Sequence, residues 1–191
     1  LRVLPLQRVC TELRYFLSQK AGKVVFLDNC VNFHAERAYR LFEYIITNDN
    51  GYTSFEMILD GDKLDEETIR LLSEARPGLF TFKVDIGSTN PESLDAMGRR
   101  ENPFQLMYNV TKLMQAGNID LKTNIMLGLP KETITLFTRS FNKVYGLVEG
   151  KGMSVEYAQI LPGSIAEKEA DSMGYIYSSA APHTVIATGY M

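Results

Sequence analysis

Side chains able to hold a polar ligand recur at one kind of place in this sequence, at or just after short apolar runs. Asp28 and Asn29 follow Val24-Val-Phe-Leu27, and Asp60 follows Ser54-Phe-Glu-Met-Ile-Leu59. Asp85 and Ser88 close the run that starts at Leu79, Asn124 lies in the run Ile119–Leu127, and Gln159 ends Met153–Ile160. Carboxylates, amides and hydroxyls gathered at one rim suit a ribose or an amino-acid head group. The alternative is that they bond one another or loop amides, since an unpaired buried polar group costs about 1–3 kcal/mol. Internal pairing is the better reading of any one residue; a site is the better reading of the set. His34 and His183 flank no nucleophile, so triad chemistry and His-based metal binding are set aside. Cys10 and Cys30 are the only cysteines and show no CxxC spacing. Two thiols cannot complete a zinc site or hold an iron–sulfur cluster, so no metal ligand is assigned. Cys10 reads as a small core residue and Cys30 as a loop thiol, a pattern that fits a reducing, cytoplasmic compartment.

The stretch Asn124-Ile-Met-Leu-Gly-Leu-Pro-Lys-Glu-Thr133 organises the elements that must position these groups. Gly128 and Pro130 end a strand, Thr133 offers a helix N-cap, and Phe137, Phe141, Val144, Tyr145 and Val148 follow at helical spacing. A strand that turns tightly into a helix is the joint of a βα unit, and in parallel α/β folds the carboxyl ends of strands hold the ligand. The same alternation runs along the chain. Leu6, Val9, Cys10, Leu13, Phe16 and Leu17 predict a first helix, and Val24–Leu27 a wholly apolar strand buried on both faces. Asp65, Asn90-Pro91 and Asn102-Pro103 open further helices, and Ser164 with Glu167 forms a capping box after Leu161-Pro-Gly. Tyr175–Met191 has weak periodicity and reads as loop or a ragged end.

Strands alternate with helices five times without a linker, which predicts one domain over 1–191 built from parallel strands with helices outside. Neither GxGxxG nor a P-loop is present, which favours a barrel over a doubly wound sheet. The chain has 191 residues, 45% hydrophobic and 23% charged, and a net charge of -3. These values fit a globular protein and argue against nucleic acid as an electrostatically held partner. No apolar run reaches the roughly 20 residues that span a bilayer, so no membrane partner is expected. The chain opens on Leu1, without methionine, and reads as a piece of something longer.

Five words in order are then informative: Val25-Phe-Leu-Asp28; Leu64-Asp-Glu-Glu-Thr68; Ser88-Thr-Asn-Pro-Glu92 with Arg99 downstream; Gly128-Leu-Pro-Lys-Glu-Thr133; and Leu161-Pro-Gly-Ser164. With them the chain resembles the radical S-adenosylmethionine superfamily, in particular the Fe–S oxidoreductases that often carry a cobalamin-binding domain. The resemblance implies an α/β fold, a partial TIM-like (β/α)6 barrel here lacking its first strand. In the family that strand leads into a CxxxCxxC loop binding a 4Fe–4S cluster, which reductively cleaves S-adenosylmethionine to a 5′-deoxyadenosyl radical. The loop is absent from this sequence, which reads as strands two to six. The parent is expected to use S-adenosylmethionine, a 4Fe–4S cluster and cobalamin on a small-molecule substrate; no cofactor is expected in the piece itself.

Residue by residue, the resemblance places Asp28 near the methionine amino group and Ser88 at the end of the fourth strand. Arg99 matches an arginine that clamps the methionine carboxylate in the coproporphyrinogen-oxidase-like branch, a task suited to a guanidinium. Asn124 stands where that branch has a ribose-binding Asp, Met126 against the adenine, and Gln159 to Leu161 supply backbone to the adenine edge. No catalytic residue is assigned. Ile58 stands where relatives carry Glu, with Glu56 on the same face, and Gly87 where they carry Glu or Gln. The resulting expectation is a barrel portion that helps bind S-adenosylmethionine and is inert without the cluster loop. The alternative is a barrel-derived binding or scaffold module without that chemistry. Without its first strand the apolar run 24–27 becomes a sheet edge, to be covered by the first helix or paired with a second copy in a homodimer.

Overall fold

The computed structural model describes residues 3–99 and 101–191. Five strands, β1 (Lys23–Val25), β2 (Ser54–Leu59), β3 (Phe80–Gly87), β4 (Asp120–Leu127) and β5 (Met153–Tyr157), form one parallel sheet in chain order. Between and around them run α1 (Leu6–Ser18), α2 (Ala35–Thr47), α3 (Glu66–Ser73), α4 (Pro91–Ala96), α5 (Pro103–Ala116), α6 (Ile134–Val148) and α7 (Ile165–Lys168). The expected α/β class and parallel helical crossovers are therefore present, and the sheet is open, ending at β1 and β5.

Alternation along the strands shows which face is covered. On β2 Phe55, Met57 and Leu59 are buried, on β3 Phe80, Phe82, Val84 and Ile86, and on β4 Leu121, Thr123 and Ile125. The intervening Lys83, Asp85, Asp120 and Lys122 are exposed. One face thus packs on helices and the other is polar and open. Registers Phe55↔Phe80 and Leu59↔Val84 keep the apolar sets of β2 and β3 together. The expectation of a first strand buried on both faces is corrected here. β1 is three residues beginning at Lys23, and Val25 and Leu27 stay 47% and 90% exposed. An apolar run cannot by itself distinguish a central strand from an edge strand whose outer face lacks a covering layer.

Two compact units divide the chain. Unit 1 comprises Leu1–Val84 and Phe104–Lys122, and unit 2 comprises Asp85–Pro103 and Thr123–Met191. The core of unit 1 is aromatic: Phe80 stacks on Phe82 at 5.2 Å, and Phe42 of α2 meets both edge-on at 5.8 and 5.7 Å. Helix α1 packs on α2 with Leu13 and Leu17 buried. Asp65 caps α3 by accepting from Thr68 N.

Unit 2 centres on Leu129, Ala158, Ile160, Ala170, Tyr175 and Val185. The stretch expected to be ragged contributes two of these. It forms a small antiparallel pair, β6 (Ile176–Tyr177) with β7 (Val185–Ala187). Strands of two and three residues are too short to leave a readable period, which is why the sequence does not announce them. Gly128, at φ 89°, lets Val185 approach β4, since a Cβ there would lie 3.1 Å from Val185 Cγ1. The caps read from sequence are in place: Asn90 accepts from Glu92 N, Thr133 from Leu136 N and Ser164 from Glu167 N. The return half of the expected capping box is displaced by one residue: Glu167 accepts from Gly163 N at 2.6 Å, while Ser164 N donates to Leu161 O.

Candidate functional site

The end of β3 is built around Arg99, whose side chain is 14% exposed. Its guanidinium donates to Asp85 Oδ2 at 3.2 Å, to Asp85 O at 2.8 Å and to Glu101 Oε2 at 2.6 Å. Burial alone would lower the arginine's pKa, but the charges of Asp85 and Glu101 outweigh it and hold the group cationic. Gly87 makes this placement sterically open. It sits at φ 64°, and a Cβ built on it would fall 2.6 Å from Arg99 Nη1. The glycine standing where the resemblance calls for Glu or Gln therefore has a local cause: the guanidinium fills that volume. To clamp a ligand carboxylate, Arg99 must give up one of its two internal acids.

Ser88, next in the chain, is 2% exposed and turned inward. Its hydroxyl donates to Glu132 Oε1 at 2.5 Å and accepts from Asn90 N at 3.0 Å. Ser140 of α6 continues the network by accepting from Thr89 N at 3.1 Å. Glu132 is fully buried, and burial pushes its carboxyl pKa up, only partly offset by the Ser88 hydrogen bond. Its Oε2 has no partner. Glu132 stands within the Gly-Leu-Pro word, and an acidic residue just after a strand-ending turn is the local signal that marks it.

The β4 and β5 residues differ in kind from Ser88. Asn124, half-buried on the open face, keeps its Oδ1 buried and without a hydrogen-bond partner. Met126, two residues on, packs against the unit 2 core. Beyond β5, Gln159 bridges Thr184: Ile160 N donates to His183 O and Val185 N to Ala158 O. In such a pair the flanking residues make the bonds, so the N–H and C=O of Gln159 point away from the 183–185 segment. Leu161 is 56% exposed. Asn124 and Met126 thus lie in the second half of β4, with Met126 opposite Glu156 in register, and Gln159 and Leu161 follow the end of the paired β5.

Asp28 belongs to unit 1. It is exposed and lines a cavity of about 280 Å³ with Val3, Leu4, Phe26, Arg37 and Leu41 among its walls. Cys30 lines the same cavity, with its thiol donating to Asn32 Oδ1 at 3.3 Å. Burial, then the Asp60 side chain, raises that thiol's pKa, which favours the neutral form. Ile58 is half-buried, and Glu56 on the same face is engaged by three lysines, an assembly no local motif signals. Among the described residues no group of three or more His, Cys, Asp or Glu could hold a metal ion. Two cysteines do not fit a 4Fe–4S cluster. The orphaned Asn124 acceptor does fit a ribose hydroxyl. No helix among the described residues is long and apolar enough to cross a membrane.

An open parallel α/β sheet with outer helices is the architecture of a partial TIM-like barrel. More specifically, the chain belongs to the Radical SAM superfamily, whose sequence profile matches residues 1–142. No curated protein matches the sequence significantly. Among solved structures, TsrM from Kitasatospora setae, a radical S-adenosylmethionine methyltransferase with cobalamin and a 4Fe–4S cluster bound, is similar with TM-score 0.73 and 18% identity, over 98% of this chain and 36% of that one. The cobalamin-dependent S-adenosylmethionine radical enzyme OxsB matches with TM-score 0.69 and 10% identity, over 100% and 35%. Coproporphyrinogen III oxidase (HemN) from Escherichia coli, a radical SAM enzyme, matches with TM-score 0.53 and 15% identity, over 92% and 48%. These likenesses show the fold, and the chain spans between a third and a half of each of those proteins.

Proposed function

We propose that this chain is the part of a radical SAM Fe–S oxidoreductase barrel that helps hold S-adenosylmethionine, with the cluster ligands supplied by residues outside 1–191. The observation that carries the reading is the buried, unpartnered Oδ1 of Asn124 on β4. A lone buried acceptor is costly, and a ribose hydroxyl would satisfy it. Within unit 2, Gln159 and Leu161 would offer backbone groups to the adenine edge, Met126 an apolar surface and Arg99 the carboxylate contact. When bound, the cofactor would supply a 5′-deoxyadenosyl radical, for which this chain provides binding groups only; the substrate is a small molecule and cobalamin belongs to the parent.

Calorimetric titration with S-adenosylmethionine, before and after incubation with iron and sulfide, tests this. Binding is expected in both conditions, weakened roughly tenfold by Asn124→Leu, the equivalent of one hydrogen bond, with no cluster absorbance appearing. Binding that ignores the substitution, or a cluster assembled on the chain, removes the proposal. A second reading, a binding or scaffold module without S-adenosylmethionine chemistry, draws on Arg99 and Ser88 being engaged by internal partners. Absence of cofactor binding would favour it.

The association expected at β1 is a proposal as well. This strand is the sheet end, with Val25 and Leu27 exposed and its outer N–H and C=O groups available to another chain. A second copy is expected to pair there, giving a dimer by sedimentation that Val25→Pro abolishes. A monomer at high micromolar concentration would end the idea.

A further inference from the structure

Glu56 is the centre of an arrangement that none of the cofactor-binding residues shares. Lys23 Nζ lies 2.5 Å and Lys122 Nζ 2.9 Å from its Oε2, and Lys83 Nζ lies 2.5 Å from its Oε1. Four neighbouring strands, β1 to β4, contribute one side chain each, all within unit 1 and all on the open face of the sheet. The Glu56 side chain is 7% exposed beneath lysines that are 47–48% exposed.

Hydrogen bonding at this cluster closes, but charge does not. A carboxylate has lone pairs for about four donors, so three ammonium groups fit it. Three positive charges on one negative leave a net charge of +2 within a few ångströms. Among the described residues, no other Asp or Glu forms an ion pair with any of the three. Two acids stand two residues from a cluster lysine along the chain: Asp120 before Lys122, exposed and outside every ion pair found, and Asp85 after Lys83, exposed and already paired with Arg99. Lysines on flexible stems ordinarily separate into water; here they converge, in a chain whose overall charge is -3.

Each ammonium has three donors and spends one on Glu56, which leaves six N–H groups at a fixed place on an uncovered surface. We propose that this cluster is a binding site for a doubly charged oxyanion, the phosphate group of a small molecule or of inorganic phosphate. Glu56 is the organiser that holds the lysines together, and the lysines are the donors. Lysine acts as a point charge suited to phosphate, whereas a planar carboxylate is better matched by the fork of an arginine. A charge of -2 also neutralises the excess that a single carboxylate would leave. The site uses no residue assigned to S-adenosylmethionine, so the two proposals fail separately.

Calorimetry with inorganic phosphate on the 191-residue chain, in chloride buffer of low ionic strength, tests the proposal. Saturable one-site binding is expected, weakened at least about tenfold in Lys83→Met and in Lys122→Met and unchanged in Lys151→Met. Glycerol phosphate in a parallel arm separates the sources: tighter binding than phosphate points to an esterified ligand, equal binding to the free ion, and either outcome supports the site. Should a lysine variant misfold, reductive methylation of the wild type read by mass spectrometry gives an independent answer. Phosphate should protect Lys23, Lys83 and Lys122 but not Lys151. No saturable binding, equal binding in the lysine variants, or no selective protection overturns the proposal.

Discussion

Phe80→Ala is expected to destabilise the protein by ~3–5 kcal/mol. Phe80 is fully buried in the middle of the aromatic core. It stacks on Phe82 at 5.2 Å with planes 17° apart, meets Phe42 edge-on at 5.8 Å and lies 6.4 Å from Phe55. Truncation would remove the ring from contacts with two strands and a helix at once, and aromatic neighbours held by three separate elements cannot collapse fully into the void. Urea unfolding followed by circular dichroism measures the effect. A loss below about 1 kcal/mol would mean that the core repacks freely and that this cluster does not hold β2, β3 and α2 together.

Glu56→Gln is expected to cost about 1–3 kcal/mol at neutral pH. The hydrogen bond from Lys23, then those from Lys83 and Lys122, hold the Glu56 carboxyl at about 2. That lies below the ordinary glutamate value, about 4.3, so the charged form stabilises the fold. The contribution is complete above the unfolded value and fades as pH falls from about 4 towards 2. Water beside the half-exposed lysines screens the interaction, which keeps the expected cost at or below the figure the depressed pKa alone would suggest. Glutamine keeps the shape and removes the charge, leaving three ammonium groups without a counter-ion. Denaturation at a series of pH values should show wild type and variant far apart at pH 7 and converging in acid. Parallel curves across that range would show that the cluster contributes no electrostatic stability.

The parts of this fold legible in the sequence are those where period and burial coincide. The alternation of Phe55, Met57 and Leu59, and of Phe80, Phe82, Val84 and Ile86, marks strands with one covered face, and local caps such as Asp65, Thr133 and Ser164 mark helix starts. What was not legible depends on distant neighbours. Nothing within Val24–Leu27 reveals that it borders no further strand among the described residues, and β6 with β7 is too short to show a period. The same division runs through the candidate site. That polar residues collect at strand ends follows from topology. Their partners do not: Ser88 is claimed by Glu132, 44 residues away, and Arg99 by Asp85 and Glu101. Glu56 gathers lysines from three other strands, and only the strand order brings them together.

The meeting of Gly87 and Arg99 ties the histories of two positions together. A side chain at 87 and the guanidinium of Arg99 compete for one volume, with 2.6 Å between the built Cβ and Nη1. An acid introduced at 87 alone meets both a backbone at φ 64° and an occupied space. Shortening Arg99 first frees the space but strands Asp85 and Glu101 without their cation. The double change relieves the steric conflict but sets a third acid beside Asp85 and Glu101, so the two substitutions are expected to be non-additive, as touching residues are. At this corner of the sheet, position 87 and position 99 are therefore one packing unit, and a substitution at either is read through the other.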